Sequence, residues 1–90
     1  MQITQGATPT IVFVLVTSTD DKTAATGKTP SVTLSKAGGA FAAATNAASE
    51  VGSGFYKLTL TATETNTAGP LAVVATATGC DDWRDIHQVV

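Results

Sequence analysis

The stretch Gly54-Phe55-Tyr56-Lys57-Leu58-Thr59-Leu60-Thr61, followed by Ala62-Thr63-Glu64-Thr65-Asn66-Thr67-Ala68-Gly69 and Pro70-Leu71-Ala72-Val73-Val74-Ala75-Thr76-Ala77-Thr78-Gly79, decides the fold. Tyr56, Leu58 and Leu60 alternate with Lys57, Thr59 and Thr61, the two-residue period of a strand with one face buried. The polar run 62–69 breaks that period, and Leu71 and Val73 restart it. The segment reads as strand, tight corner, strand, which is the grammar of a β-sandwich.

The rest of the chain fits around this pair. Thr10 to Thr17 is a further strand, with Ile11, Phe13 and Leu15 on one face and Val12, Val14 and Val16 on the other. Both faces are apolar, as expected of a central strand or of one that meets another subunit. Ser18 to Lys28, with Asp20-Asp21, Gly27 and several Thr, has no apolar period and reads as a loop. Pro30 opens a strand in which Val32 and Leu34 alternate with Ser31, Thr33 and Ser35. Gly38-Gly39 marks a hairpin leading to a short strand around Phe41 to Ala44. The Ala-rich run there is too short to hold a helix by itself, and a loop is expected up to Ser53. Gly79-Cys80-Asp81-Asp82 is a turn. Trp83 to Val90 is the last strand, with Ile86, Gln88 and Val90 opposite Trp83, Asp85, His87 and Val89. It either closes the sandwich or leads into further chain. Residues 1–9 are short, polar and Gly/Pro-containing, and read as a flexible arm ahead of a single domain at 10–90.

Ninety residues make one domain that buries about 60–65% of its unfolded surface, too little for two cores. A ligand-holding eight-stranded barrel needs more chain, and a doubly wound nucleotide fold needs helices the sequence does not offer. The formal net charge is −2, and the five basic residues, Lys22, Lys28, Lys36, Lys57 and Arg84, are scattered. Nucleic-acid binders gather such charge on one face, so no nucleic-acid partner is expected. Cys80 is the only cysteine, so no intrachain disulfide can form, which suits a reducing compartment. The N-terminus has no basic n-region, and the apolar run Ile11 to Val16 is far too short to span a bilayer.

No constellation reads as catalytic or metal-binding, and no cofactor is expected. Trp83, Asp85 and His87 share one face of the last strand, but no second histidine exists to complete a metal site. Asp85 and His87 are expected to face solvent or an interface, and Trp83 to cover the end of the core. Asp20-Asp21 and Glu64 lack the Asp-x-Asp-x-Asp-Gly spacing of a calcium loop. No Gly-x-Ser-x-Gly elbow supports a nucleophile, and Gly52-Ser53-Gly54 leads into a strand where a phosphate-binding loop would lead into a helix. Within the corner 62–69, Thr63 or Thr65 is placed to cap a short helical turn, and Gly69 supplies backbone freedom.

The aromatic after Gly54, the Leu58-Thr59-Leu60 run, the Glu64-to-Gly69 corner and the strand closing on Thr78-Gly79 resemble immunoglobulin-like domains of tailed-bacteriophage virion proteins. The likeness covers residues 54–90 and, more loosely, 10–36. It departs from antibody domains, since Leu71 stands where a tyrosine corner would place Tyr and neither paired cysteines nor a buried strand-C Trp is present. The resemblance implies a Greek-key immunoglobulin-like sandwich of about seven strands and a non-enzymatic structural role in a virion assembled in the host cytoplasm. Capsid decoration (cement) is the first role it suggests, with a tail, baseplate or head-fibre adaptor second. The partners implied are the major capsid protein or other virion proteins and further copies of the chain, with no membrane and no small-molecule ligand. The interface candidates are Ile3 in the arm, Val12, Val14 and Val16 on the second face of the first strand, and Trp83, Asp85 and His87. A reading of another class is an adhesin-like or carbohydrate-binding module, for which Trp83, Tyr56 and Phe41 would have to supply the aromatic platform.

Overall fold

In the computed structural model, which describes residues 2–90, every regular element is a strand. The strands are β1 (Gln2–Ile3), β2 (Thr10–Val14), β3 (Ser31–Lys36), β4 (Ala42–Ala43), β5 (Ser49–Gly52), β6 (Phe55–Thr59), β7 (Gly69–Thr76) and β8 (Trp83–Val89). They form a five-stranded sheet in the order β1-β8-β7-β3-β4 and a three-stranded sheet in the order β2-β6-β5. All pairings are antiparallel except β1 with β8, which is parallel.

The two-residue period sets which side chains meet between the sheets. Ile11, Phe13, Tyr56 and Leu58 come from the three-stranded sheet, and Val32, Leu34, Leu71, Val73, Ala75 and Val89 from the five-stranded one; all join one buried cluster. Phe13 joins the two sheets. Its ring stacks on Tyr56 at 5.9 Å between centroids and meets Trp83 of the opposite sheet at 5.2 Å. Burying each large apolar side chain contributes about 1.5–3 kcal/mol, so an inward Phe or Leu fixes the register of its whole strand: a one-residue slip would turn the set to solvent.

Six of the strands fall where the alternation places them, with ends trimmed by a few residues. The described residues hold eight strands where about seven were expected, and two of them arise where no strand was expected. Gln2–Ile3 lies along β8, so the described part of the expected flexible arm is tied down: Ile3 is buried in the core, Gln5 N–H donates to Val90 C=O at 2.9 Å, and Gly6 N–H to Thr65 C=O at 2.9 Å, while Met1 lies outside the described residues. Ser49–Gly52, expected as loop, pairs with β6 across a bulge between Glu50 and Gly52. The strand at Thr10–Val14 lies at the edge of its sheet, which removes the central-strand explanation for its second apolar face.

The corner between β6 and β7 is held by a reciprocal cap. Thr61 Oγ1 accepts from Glu64 N–H at 3.3 Å, and Glu64 Oε1 accepts from Thr61 N–H at 2.8 Å. This is the Thr-x-x-Glu capping box applied to a turn, so the cap is Thr61 where Thr63 or Thr65 was expected. Glu64 Oε2 also accepts from Thr45 N–H at 2.8 Å, joining the β4–β5 loop to the corner. Thr65 is fully buried and donates to Ala7 C=O at 2.6 Å. At the opposite end, the buried Tyr56 hydroxyl donates to Ala25 C=O at 2.9 Å and accepts from Lys28 N–H at 3.0 Å, securing the β2–β3 loop.

Candidate functional site

Because inward positions fill the core, any site is built from what the outward positions present. On the five-stranded sheet these are Ala72 and Val74 of β7 and Arg84, Ile86 and Gln88 of β8. Ala72 sits beside Ile86, and Val74 lies between Arg84 and Thr33. Phe41, from the turn ahead of β4, adds its ring to one end. Ile86 is 64% and Phe41 55% exposed, large values for side chains of this kind. Together with Ala72, Val74 and Arg84 they wall a shallow groove of about 680 Å³. Arg84 is held over it through a hydrogen bond to Asp82 at 3.2 Å.

The outer face of the three-stranded sheet carries a second apolar strip. Val12 is 56% and Val14 40% exposed, and Val14 sits beside Phe55, itself 47% exposed. Val51, at the β5 bulge, is exposed as well. Val16 is half-buried, bridging to Ala24.

The interface candidates therefore divide. Val12 and Val14 are presented to solvent together. Ile3 is buried at 2% exposure, part of the core and closed to a partner. Trp83 is half-buried and packed against the core, its ring meeting Phe13. Asp85 is exposed beside it. His87 is buried, against the expectation that it faces solvent, because its register on β8 points it inward with Val89. Neither ring nitrogen of His87 has a hydrogen-bond partner, and the nearest Asp85 carboxylate oxygen is 3.9 Å away. Desolvation pushes its pKa below the ordinary value, and the Asp85 charge opposes that in part.

The other polar candidates are engaged in structure. The Asp20 carboxylate accepts from the Thr23 hydroxyl, from Thr23 N–H at 2.9 Å, from Lys22 N–H at 3.1 Å and from the Thr17 hydroxyl at 2.9 Å. Those bonds, Thr23's foremost, hold Asp20 well below the usual carboxylate range. Asp81 is raised by sharing a hydrogen bond with Asp21, by desolvation and by the surrounding aspartates. Among the described residues no group of three or more His, Cys, Asp or Glu is arranged to hold a metal. A smaller groove of about 300 Å³ opens near β4, between Leu34, Ala42, Thr63 and Lys36. The Lys36 ammonium at its side is already bonded to Thr63 C=O and Asn66 Oδ1, each at 3.0 Å.

No family model, curated protein or solved structure matches this chain. The site is thus defined by geometry alone: two solvent-facing apolar strips on opposite sheets, with the polar side chains between them tied into turns. Sequence reasoning singled out Val12 and Val14, which are exposed, but did not pair Phe41 with Ile86. The available signal was Ile86 standing alone between Arg84 and Gln88, on the face opposite Trp83.

Proposed function

We propose that this chain is an immunoglobulin-like module of a tailed-phage virion, a non-enzymatic capsid decoration protein that docks on the outer shell through the Phe41–Ile86 strip. The strand order supports the fold half of this reading. β2-β6-β5 corresponds to strands B, E and D of an immunoglobulin sandwich, β8-β7-β3 to G, F and C, and β4 to the C′ strand added in variable-type domains. β1 takes a place beside the G equivalent, where an antibody constant domain puts its first strand beside B.

The single observation that carries the functional half is the strip itself. Ile86, on β8, and Phe41, just ahead of β4, are large, apolar and more than half exposed, on the side away from the buried cluster between the sheets. Apolar anchors rimmed by a charged group such as Arg84 are what a protein partner buries at the centre of an interface. Burying one Ile side chain contributes about 1.5–3 kcal/mol, so its loss weakens binding roughly tenfold or more.

The experiment is reconstitution on shells lacking the protein, with bound copies counted by quantitative mass spectrometry for wild type and Ile86→Lys. Ile86 is solvent-facing, so the variant folds. Lower occupancy at equal protein concentration supports the reading, and equal occupancy rejects docking through this strip. A saturating ratio of a few copies per particle would move the assignment to the tail or head fibres.

A further inference from the structure

We propose that the free edge of β2 pairs with the same edge of a second copy of this chain, antiparallel about a two-fold axis at Val12. The argument starts from which backbone groups β2 has left over. Pro9 C=O accepts from Leu60 N–H at 2.8 Å and Leu15 N–H donates to Gly54 C=O at 2.9 Å. With the register Ile11↔Leu58 and Phe13↔Tyr56, the odd-numbered residues turn their N–H and C=O groups toward β6. By the alternation of an antiparallel ladder, Thr10, Val12 and Val14 turn theirs outward. Among the described residues nothing pairs with those groups; the next contact on that side is Asp81 N–H on Val16 C=O at 3.1 Å, beyond the end of β2.

This edge has none of the usual protection. Thr10-Ile11-Val12-Phe13-Val14 contains no charge, proline or bulge, and β-proteins blunt their edges with such features because an open edge templates another strand. The opposite edge of the same sheet, β5, has both a bulge and Glu50. The five-stranded sheet ends in strands of only two residues, β1 and β4. Among the described residues only β2 offers a regular, uncharged edge.

A second copy fits it by parity. About a two-fold at Val12, Val12 faces the partner's Val12 and Thr10 faces the partner's Val14, all as hydrogen-bonded pairs, so every leftover donor meets an acceptor. The outward side chains then continue one strip across the joint, Phe55-Val14-Val12 of one copy running into its mate. Lys57, opposite Val12 on β6, lies three strand spacings from its counterpart in the mate, roughly 14 Å, beyond the screening length at physiological salt. The contact is small, which places it at the weak end of protein association. It goes beyond the shell-docking reading and is tested without shells, so the two can fail separately; on a shell, neighbouring copies would make a weak contact count.

Cross-linking reads the register directly. Residues of a hydrogen-bonded antiparallel pair have Cα atoms about 5.5 Å apart, within disulfide reach. In a Cys80→Ser background, Val12→Cys is expected to give a covalent dimer on mild oxidation, whereas Val14→Cys, which faces Thr10 of the mate, gives far less. Sedimentation of the unmodified protein is expected to show a monomer–dimer equilibrium in the high-micromolar range. Val12→Pro is expected to abolish it while leaving the thermal midpoint little changed, because the N–H it removes points away from β6. Val12→Lys, placing two ammonium groups face to face, is a second disruption compatible with the exposed site. A monomer throughout the millimolar range, equal cross-linking at positions 12 and 14, or a dimer that survives Val12→Pro and Val12→Lys would each overturn the proposal.

Discussion

Replacing Glu64 by Gln changes little in shape and much in hydrogen bonding. The carboxylate accepts on both oxygens, from Thr61 N–H and from Thr45 N–H, each at 2.8 Å, and the side chain is only 9% exposed. An amide offers one acceptor oxygen and one NH₂ donor. In either orientation one backbone N–H therefore faces another donor. Hydrogen bonds to charged groups contribute about 1.5–3 kcal/mol each, and leaving a partner unsatisfied has a similar cost. Allowing the surviving bond to persist in weaker neutral form, Glu64→Gln is expected to destabilise by about 2–3 kcal/mol, or roughly 10–20 °C in Tm for a domain of this size. Glu64→Ala loses both acceptors and is expected to cost at least as much. Urea unfolding followed by Trp83 fluorescence measures this, with the slope m unchanged if only the native state is affected. A Glu64→Gln variant within about 0.5 kcal/mol of wild type, the range of ordinary surface substitutions, would refute the view that this carboxylate joins the corner to the β4–β5 loop.

Tyr56→Phe leaves Ala25 C=O and Lys28 N–H without their shared hydroxyl, with an expected loss of about 1–3 kcal/mol by the same unfolding assay. His87 binds a proton less readily folded than unfolded. Stability is therefore complete above the unfolded value of about 6.5 and falls as pH drops below it toward the lowered folded value. His87→Leu is expected to flatten that slope on the acid side of the unfolded value, and an unaltered slope would count against the buried neutral ring. Gly54 and Gly38 have nearly the same positive φ, 83° and 82°, but a Cβ at Gly54 would lie 3.0 Å from both Ala24 Cβ and Leu15 C=O while Gly38 opens onto free space. Gly38→Ala is expected to cost about 1 kcal/mol and Gly54→Ala roughly 3, compared by midpoint in urea; equal costs would contradict the close approach.

The strands legible in the sequence are those whose alternation is strong. Tyr56-Lys57-Leu58-Thr59 and Leu71-Ala72-Val73-Val74 place β6 and β7 because each inward residue is a large hydrophobe that must be buried. Ser49-Glu50-Val51-Gly52 carried no such period, and β5 exists because β6 offers it a ladder, with the bulge absorbing the mismatch. β1 is two residues long, held by a pairing with the far end of the chain that no local pattern encodes. His87 was misread by its polarity, whereas its register with Val89 faced it inward. The two apolar faces of Thr10 to Val14 were legible as an anomaly. Their meaning depended on the strand order, which places β2 at an edge.

The most direct test of the account is the shell occupancy of wild type against Ile86→Lys at matched concentration, counted by quantitative mass spectrometry relative to the major shell protein. The account predicts a saturating wild-type ratio in simple stoichiometry to the shell and a substantially reduced ratio for Ile86→Lys, with both proteins equally folded. Equal occupancy of the two, or no wild-type protein on the shell, would contradict it.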